Sequence, residues 1–307
     1  MSGLELAKAY YEEYGVPMIK KEFPEYVDRI AVGLVGHGSE CFGFDDEISR
    51  DHDFEPGFCI WLTEEDEREF GFRLFRAYRK LPKEYMGFHV ENKSLFGSDT
   101  RGVKTIKDFY SFYLPDGTLP KTNEEWMAIP DFYLAEATNG EVFTDPVGEF
   151  SRIRNEVKYR RPEDVRLKKL ASAIFYMAQM GQYNYKRCLD HGEYAAASLA
   201  LSDFVRSAAE AFFLLQKEYV PYYKWMFRRL SQLPGGEAYA ARLTKLMSAP
   251  FDRSRNLPII EELAELIADG LRNQQLTTMA GDYLEPYAYD ITEHITDGRL
   301  RNSPVML

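Results

Sequence analysis

VGHGSECFGFDDEISRDHDFEPGFCIWL, residues Val35 to Leu62, holds the most specific pattern in the chain. It opens at the end of a short apolar run, Arg29 to Gly36 (RIAVGLVG), which reads as a buried strand closing in a turn. In Gly36-His37-Gly38-Ser39 the glycines let backbone amides approach an anion, and the serine adds a hydroxyl donor. Gly38 and Ser39 are therefore candidates for a phosphate cradle. Further on, Asp51-His52-Asp53 opens a second strand that runs to Leu62, with Phe54, Phe58, Ile60 and Leu62 in alternation and a bulge expected at Pro56-Gly57. Side chains alternate along a strand, so Asp51 and Asp53 share a face and His52 points away. Two neighbouring carboxylates repel unless a cation neutralises them, and hard oxygen donors select Mg²⁺ or Mn²⁺ over zinc. In-line nucleotidyl transfer needs such a pair, with metal holding the triphosphate.

Outward from this stretch, residues 3–13 have the spacing of an amphipathic helix, and Thr63 with Glu64 and Glu65 caps a helix reaching about Lys80. Two weaker strands are expected in GFHVEN (87–92) and GVKTI (102–106), separated by Phe96-Gly97-Ser98-Asp99. A helix from Pro130 should end at Asn139-Gly140, and Gly140 to Asp145 is a last extended element. The first half is thus of α/β character. From Phe150 onward the pattern turns to helices at about 163–181, 192–217, 221–231, 236–248 and 255–276, with an apolar stripe of Phe204, Ala208, Ala211, Phe212 and Leu215. Such helices joined by short connections indicate a bundle. No internal repeat interrupts the two halves.

A chain of 307 residues exceeds the size at which one core stops growing, roughly 250 residues, and suits two domains. The formal charge of -11 disfavours a broad footprint on long nucleic acid and favours a small substrate or a protein partner. Cys41, Cys59 and Cys188 are an odd, scattered set, which suggests neither a disulfide framework nor zinc and fits a reducing compartment. With no stretch approaching the roughly 18 apolar residues that span a bilayer, a soluble, cytoplasmic protein without membrane contact is expected.

Gly-Ser after one strand and Asp-x-Asp-hydrophobic on the next, here Gly38, Ser39, Asp51, Asp53 and Phe54, closely resembles the polymerase-beta-like nucleotidyltransferase superfamily, which includes the aminoglycoside and lincosamide nucleotidyltransferases. GEVFTDPVGEFSRIR, GQYNYKR and YVPYYKWMFRRL look like a bacterial subgroup of that superfamily, a domain of unknown function. The resemblance implies an α+β fold: a small mixed-sheet catalytic domain over 1–149 and an all-α helical bundle over 150–307. It further implies a nucleoside triphosphate substrate, two Mg²⁺ ions held by Asp51 and Asp53, and transfer of a nucleoside monophosphate with release of pyrophosphate. The acceptor hydroxyl, on a small molecule or another protein, is not named by it.

The superfamily usually supplies a third carboxylate, as metal ligand or base, and GVKTI has none. Glu91, Glu136 and Asp145 are the candidates, although Asp145 before Pro146 can shape a turn and Glu136 can sit on a helix surface. Asp45, Asp46 and Glu47 read as a solvated loop. In the helical half, Asn184 and Arg187, and Lys224 with Trp225, set polar and basic groups among aromatics, so Arg187 and Lys224 are candidates for the triphosphate. The alternative is that Tyr222, Tyr223 and Trp225 are bundle core, with Lys224 and Arg228 on the surface. His37 and His52 read as structural, Cys41 and Cys59 as small hydrophobes, and Arg50 as a phosphate clamp or a surface ion pair. Two rivals to an enzyme remain: a nucleotide-binding sensor that lost transfer, and an antitoxin-like partner of another protein.

Overall fold

Two short strands buried along their whole length form the centre of the main sheet, and two mostly half-buried strands flank them. The strands are β1 (Ala31–Leu34), β2 (Cys59–Leu62), β3 (Glu84–Tyr85), β4 (Phe88–His89), β5 (Gly102–Thr105) and β6 (Glu141–Thr144) in a computed structural model that describes residues 1–46, 55–90 and 101–306. Asp51 and Asp53, with Glu47, Arg50, His52, Phe54 and Glu91, lie outside the described residues. The main sheet has the order β5-β2-β1-β6 and is mixed: β1 is antiparallel to β2 and β6, whereas β2 runs parallel to β5.

On one face Val32, Ile60 and Leu62 pack with Leu6, Tyr10, Met18, Phe23, Phe70 and Leu74. These come from the N-terminal helical run, Gly3–Tyr10 continued through a π-helical turn into Val16–Glu22, and from the run ending in helix Phe72–Tyr78. On the other face Trp61 stacks on Phe150, with centroids 3.8 Å apart and planes at 15°. Gly33 is required between β1 and β6, because a Cβ there would stand 2.5 Å from the carbonyl oxygen of Glu141.

Several expected elements have different bounds. The N-terminal helix continues to Glu22. Within the described part of GFHVEN, Phe88–His89 is strand, and it pairs as β4 with β3 in a hairpin turned at Met86 (φ 50) and Gly87 (φ 82). Thr63 does cap the following helix, its Oγ1 accepting from the Asp66 amide at 3.1 Å, and GVKT is β5, after which Thr105 caps Ile106–Ser111.

The chain divides into two compact units, Met1–Lys121 with Ile129–Arg160, and Thr122–Ala128 with Arg161–Leu307. This differs from the expected boundary after residue 149. Helix Glu149–Tyr159 belongs to the first unit because Phe150, Ile153 and Val157 are one buried stripe, and Phe150 covers Trp61. Helix Asn123–Ala128 belongs to the second, where Asn123 Nδ2 donates to Asp297 Oδ2 at 2.8 Å.

The second unit is helical throughout its regular elements among the described residues. Glu163–Tyr176, Tyr194–Leu215, Tyr223–Gln232, Gly236–Ser248 and Arg253–Asn273 fall near the expected spans, and Glu285–Thr292 and Gly298–Asn302 were not foreseen. Phe204, Ala208, Ala211 and Leu215 are buried as the stripe required, and Phe212 is half-buried. None of the described helices is long and apolar enough to cross a membrane.

Lys168 is fully buried in this unit and donates from Nζ to the carbonyl of Ser303 at 2.7 Å. Burial disfavours its charge and pulls its pKa below the ordinary lysine value. The native state then holds fewer protons than the unfolded chain, so stability rises with pH toward that ordinary value. Thermal unfolding followed as the pH rises toward the ordinary lysine value, about 10.5, should show wild type gaining on Lys168→Met, and parallel curves would contradict this.

Candidate functional site

Gly36 (φ 120) and Gly38 (φ 124) turn the chain out of β1 in a backbone conformation that L side chains rarely adopt. The turn is anchored from a distant segment. The Gly36 amide donates to Asn139 Oδ1 at 2.8 Å, and Asn139 Nδ2 donates to the Gly36 carbonyl at 2.7 Å. Asn139 ends helix Asp131–Thr138, and Arg154 Nη2 donates to the carbonyls of Thr138, Asn139 and Gly140 there. A Cβ on Gly36 would stand 2.8 Å from the hydroxyl of buried Tyr113.

Gly38 and Ser39 are half-buried at the start of the short helix Ser39–Phe42. The space beside the Gly38 α-carbon is taken by Glu40, whose Oε2 would lie 2.5 Å from an added Cβ. Glu40 is itself buried and bound to Arg101, with Nη2 to Oε1 at 3.3 Å, while Arg101 Nη1 meets Glu55 Oε1 at 3.2 Å. Burial works against the Arg101 charge, but Glu40 and Glu55 outweigh it and hold the guanidinium above its ordinary value.

This bridge joins two places that the sheet brings together. The Gly33↔Cys59 register sets the start of β2 beside the end of β1. The chain entering β2 therefore arrives at the same end of the sheet as the glycine turn. Glu55 begins the described part of that approach, two positions after Asp53 in the sequence.

Glu136, a candidate third carboxylate, is buried on helix Asp131–Thr138, which removes the reading of it as a surface residue. Its Oε1 lies 3.3 Å from His37 Nδ1, and the His37 side chain is 57% exposed against 5% for Glu136. Asp145 is a backbone cap: its two carboxylate oxygens accept from the amides of Gly148 and Ser151 at 3.0 and 2.8 Å. Asp45 likewise accepts from the Gly3 amide at 2.7 Å. Burial pushes the Cys41 thiol well above its ordinary value, consistent with a small hydrophobe.

Arg187 and Lys224 are exposed on the second unit, Arg187 over the Tyr183 ring at 5.0 Å. Tyr223 is exposed, and Tyr222 and Trp225 are half-buried, so these aromatics are not the bundle core; Met226 and Leu230 fill that place. Among the described residues no group of three or more His, Cys, Asp or Glu side chains could hold a metal ion. The carboxylates with the hard-oxygen chemistry for Mg²⁺, Asp51 and Asp53, lie outside the described residues.

Sequence reading missed Glu40, Glu55, Arg101 and Asn139. Their signal was weak, since a lone charged residue or a helix-ending Asn is common and acquires its partner only through the fold.

No curated protein and no solved structure matches the chain. Residues 126–226 match the model of a family described as Domain of unknown function (DUF4037), a stretch that includes Glu136, Asn139, Arg154, Arg187 and Lys224. Over those residues the chain is similar to a family whose description assigns it no activity.

Proposed function

We propose that the first unit is a Mg²⁺-dependent nucleotidyltransferase domain that moves a nucleoside monophosphate from a nucleoside triphosphate to a hydroxyl acceptor. One observation carries the reading: the Gly33↔Cys59 register and the Glu40–Arg101–Glu55 bridge bring the chain that enters β2 to the glycine turn after β1. The Asp51-x-Asp53 pair immediately precedes that described approach in the sequence. A small mixed sheet, which the resemblance also implies, supports the reading only at the level of fold class.

In this reading Gly38 and Ser39 contact phosphate, and Asp51 and Asp53 hold Mg²⁺, which would offset the charge of the triphosphate. The acceptor oxygen bonds to the α-phosphorus, the bond to the bridging oxygen breaks, and pyrophosphate leaves with that electron pair. The hydroxyl proton passes to solvent. The acceptor is a small hydroxyl compound or a side chain of another protein.

Calorimetric titration of each nucleoside triphosphate, with and without Mg²⁺, tests this. Metal-dependent binding by wild type that disappears in the Asp51→Asn, Asp53→Asn double variant is the expected result. Binding of no nucleotide by wild type would overturn the reading. A second reading, a nucleotide-binding sensor without transfer, is favoured by one observation: β5, the parallel neighbour of β2, carries no acid in Gly102–Thr105. It predicts metal-dependent binding with no pyrophosphate release for any hydroxyl acceptor.

A further inference from the structure

The segment after Thr63 is electrically divided. Residues 64–69 (EEDERE) hold five carboxylates and one arginine, whereas residues 72–80 (FRLFRAYRK) hold four cations and no acid. The structure makes them one helical run: Glu64–Asp66, a π-helical turn over Glu67–Gly71, and Phe72–Tyr78. Phe70, Leu74 and Ala77 enter the core of the first unit, so the opposite side of the run faces solvent. Asp66 and Glu69 pair with Arg29. Glu64, Glu65 and Glu67 at one end, and Arg76, Arg79 and Lys80 at the other, are exposed.

Between those ends the surface is aromatic. Phe72 is 69% exposed and Phe75 38%. Arg79 lies over the Phe75 ring, 5.7 Å from its centroid, which places the basic end on the same side as the two phenylalanines. A groove of about 600 Å³ runs beside them, with Glu64, Glu67 and Arg68 on its helical wall and β5 on the other. Among the described residues β5 is an edge of its sheet. An apolar centre flanked by charge has the anatomy of a protein interface.

We propose that this side of the run is the interface of a two-fold dimer, its occupant a second copy of the chain with the run antiparallel. A two-fold contact must be self-complementary. A partner of one sign would repel one end. An antiparallel copy instead sets Glu64 and Glu67 against Arg76 and Arg79 of the second copy, twice over, and brings Phe72, the midpoint of residues 64–80, onto Phe72 of the second copy near the axis. Antiparallel helices also set their dipoles in opposition. The net charge of -11 on each copy does not forbid this, because at about 0.15 M salt exposed charges more than roughly 8 Å apart are largely screened, and facing ends are closer than that.

Sedimentation equilibrium of the full chain tests this. Wild type is expected to be a dimer at about 100 µM, and Phe72→Asp to weaken association about thirtyfold or more. Phe72→Ser serves if Phe72→Asp does not fold. Glu64→Lys with Glu67→Lys turns the acidic end basic, and Arg76→Glu with Arg79→Glu turns the basic end acidic, so each double variant alone should be a monomer. Mixed, the two should form a one-to-one heterodimer, because every contact again joins opposite signs. The substituted side chains are exposed, and thermal unfolding of each variant checks that the fold is kept. A monomeric wild type at that concentration, a dimer that survives Phe72→Asp, or a mixture that stays monomeric overturns the proposal.

Discussion

Turnover in Asp51→Asn is expected to fall about a thousandfold under the proposed reaction, with the fold unchanged. The substitution keeps the size of the side chain and one oxygen but removes a full negative charge from the pair that would face Mg²⁺. Metal stabilisation of a phosphoryl transition state contributes several kcal/mol, and about 4 kcal/mol corresponds to three decades in rate. Asp53→Asn should lose a similar amount, and the double variant little more, because the two groups would act as a unit on the same metal site. Stability should move the other way. In the proposed site the two carboxylates would repel without metal, so removing one charge should leave thermal unfolding in chelator unchanged or raised. Pyrophosphate release with Mg²⁺ and a panel of hydroxyl acceptors, alongside unfolding curves, measures both. Wild-type rates in Asp51→Asn would sink the assignment, and a variant that loses rate only by unfolding would leave the pair a structural one.

Arg101→Met is expected to destabilise the first unit by about 3–5 kcal/mol, a large part of the stability of an ordinary domain. Arg101, Glu40 and Glu55 are each under a tenth exposed. Deleting the guanidinium leaves two carboxylates buried without the cation that now bridges them at 3.3 and 3.2 Å. Breaking such a cluster costs more than forming it contributes, because the remaining charges have already lost their water. Methionine fills much of the same volume, so the loss reads the charge and not a cavity. A companion variant, Glu40→Gln with Glu55→Gln and Arg101→Met, removes all three charges and should recover much of the loss. Urea unfolding gives both values. A change under about 1 kcal/mol in Arg101→Met would show the cluster to be unimportant to the fold.

Comparison of particular residues shows how much was legible beforehand. Strand β1 was readable as a short apolar run ending in glycines and the long helices because their signal repeats every turn, whereas of the strand expected from Asp51 to Leu62 only Cys59–Leu62 is strand among the described residues and Glu55–Phe58 is not. The glycine turn at Gly36–Ser39 was readable too, since positive φ leaves few residue choices. The end of the first unit was not. Phe150 heads an amphipathic helix like any in the second half, and only the face of Trp61 decides which core it enters. His37 and Glu136 are 99 positions apart, and Arg101 is 61 and 46 from its two acids, so no window on the chain could have paired them.

By itself, then, the sequence determined many of the regular elements, an α/β first half followed by helices, and the glycine turn after a buried strand. The tertiary structure decided which carboxylate faces which cation, that Asp145 is a cap and Glu136 the partner of an imidazole, and where the first unit ends. The reason is physical: periodicity is a property of neighbours along the chain, whereas a buried charge is defined by whatever the fold brings within hydrogen-bonding reach.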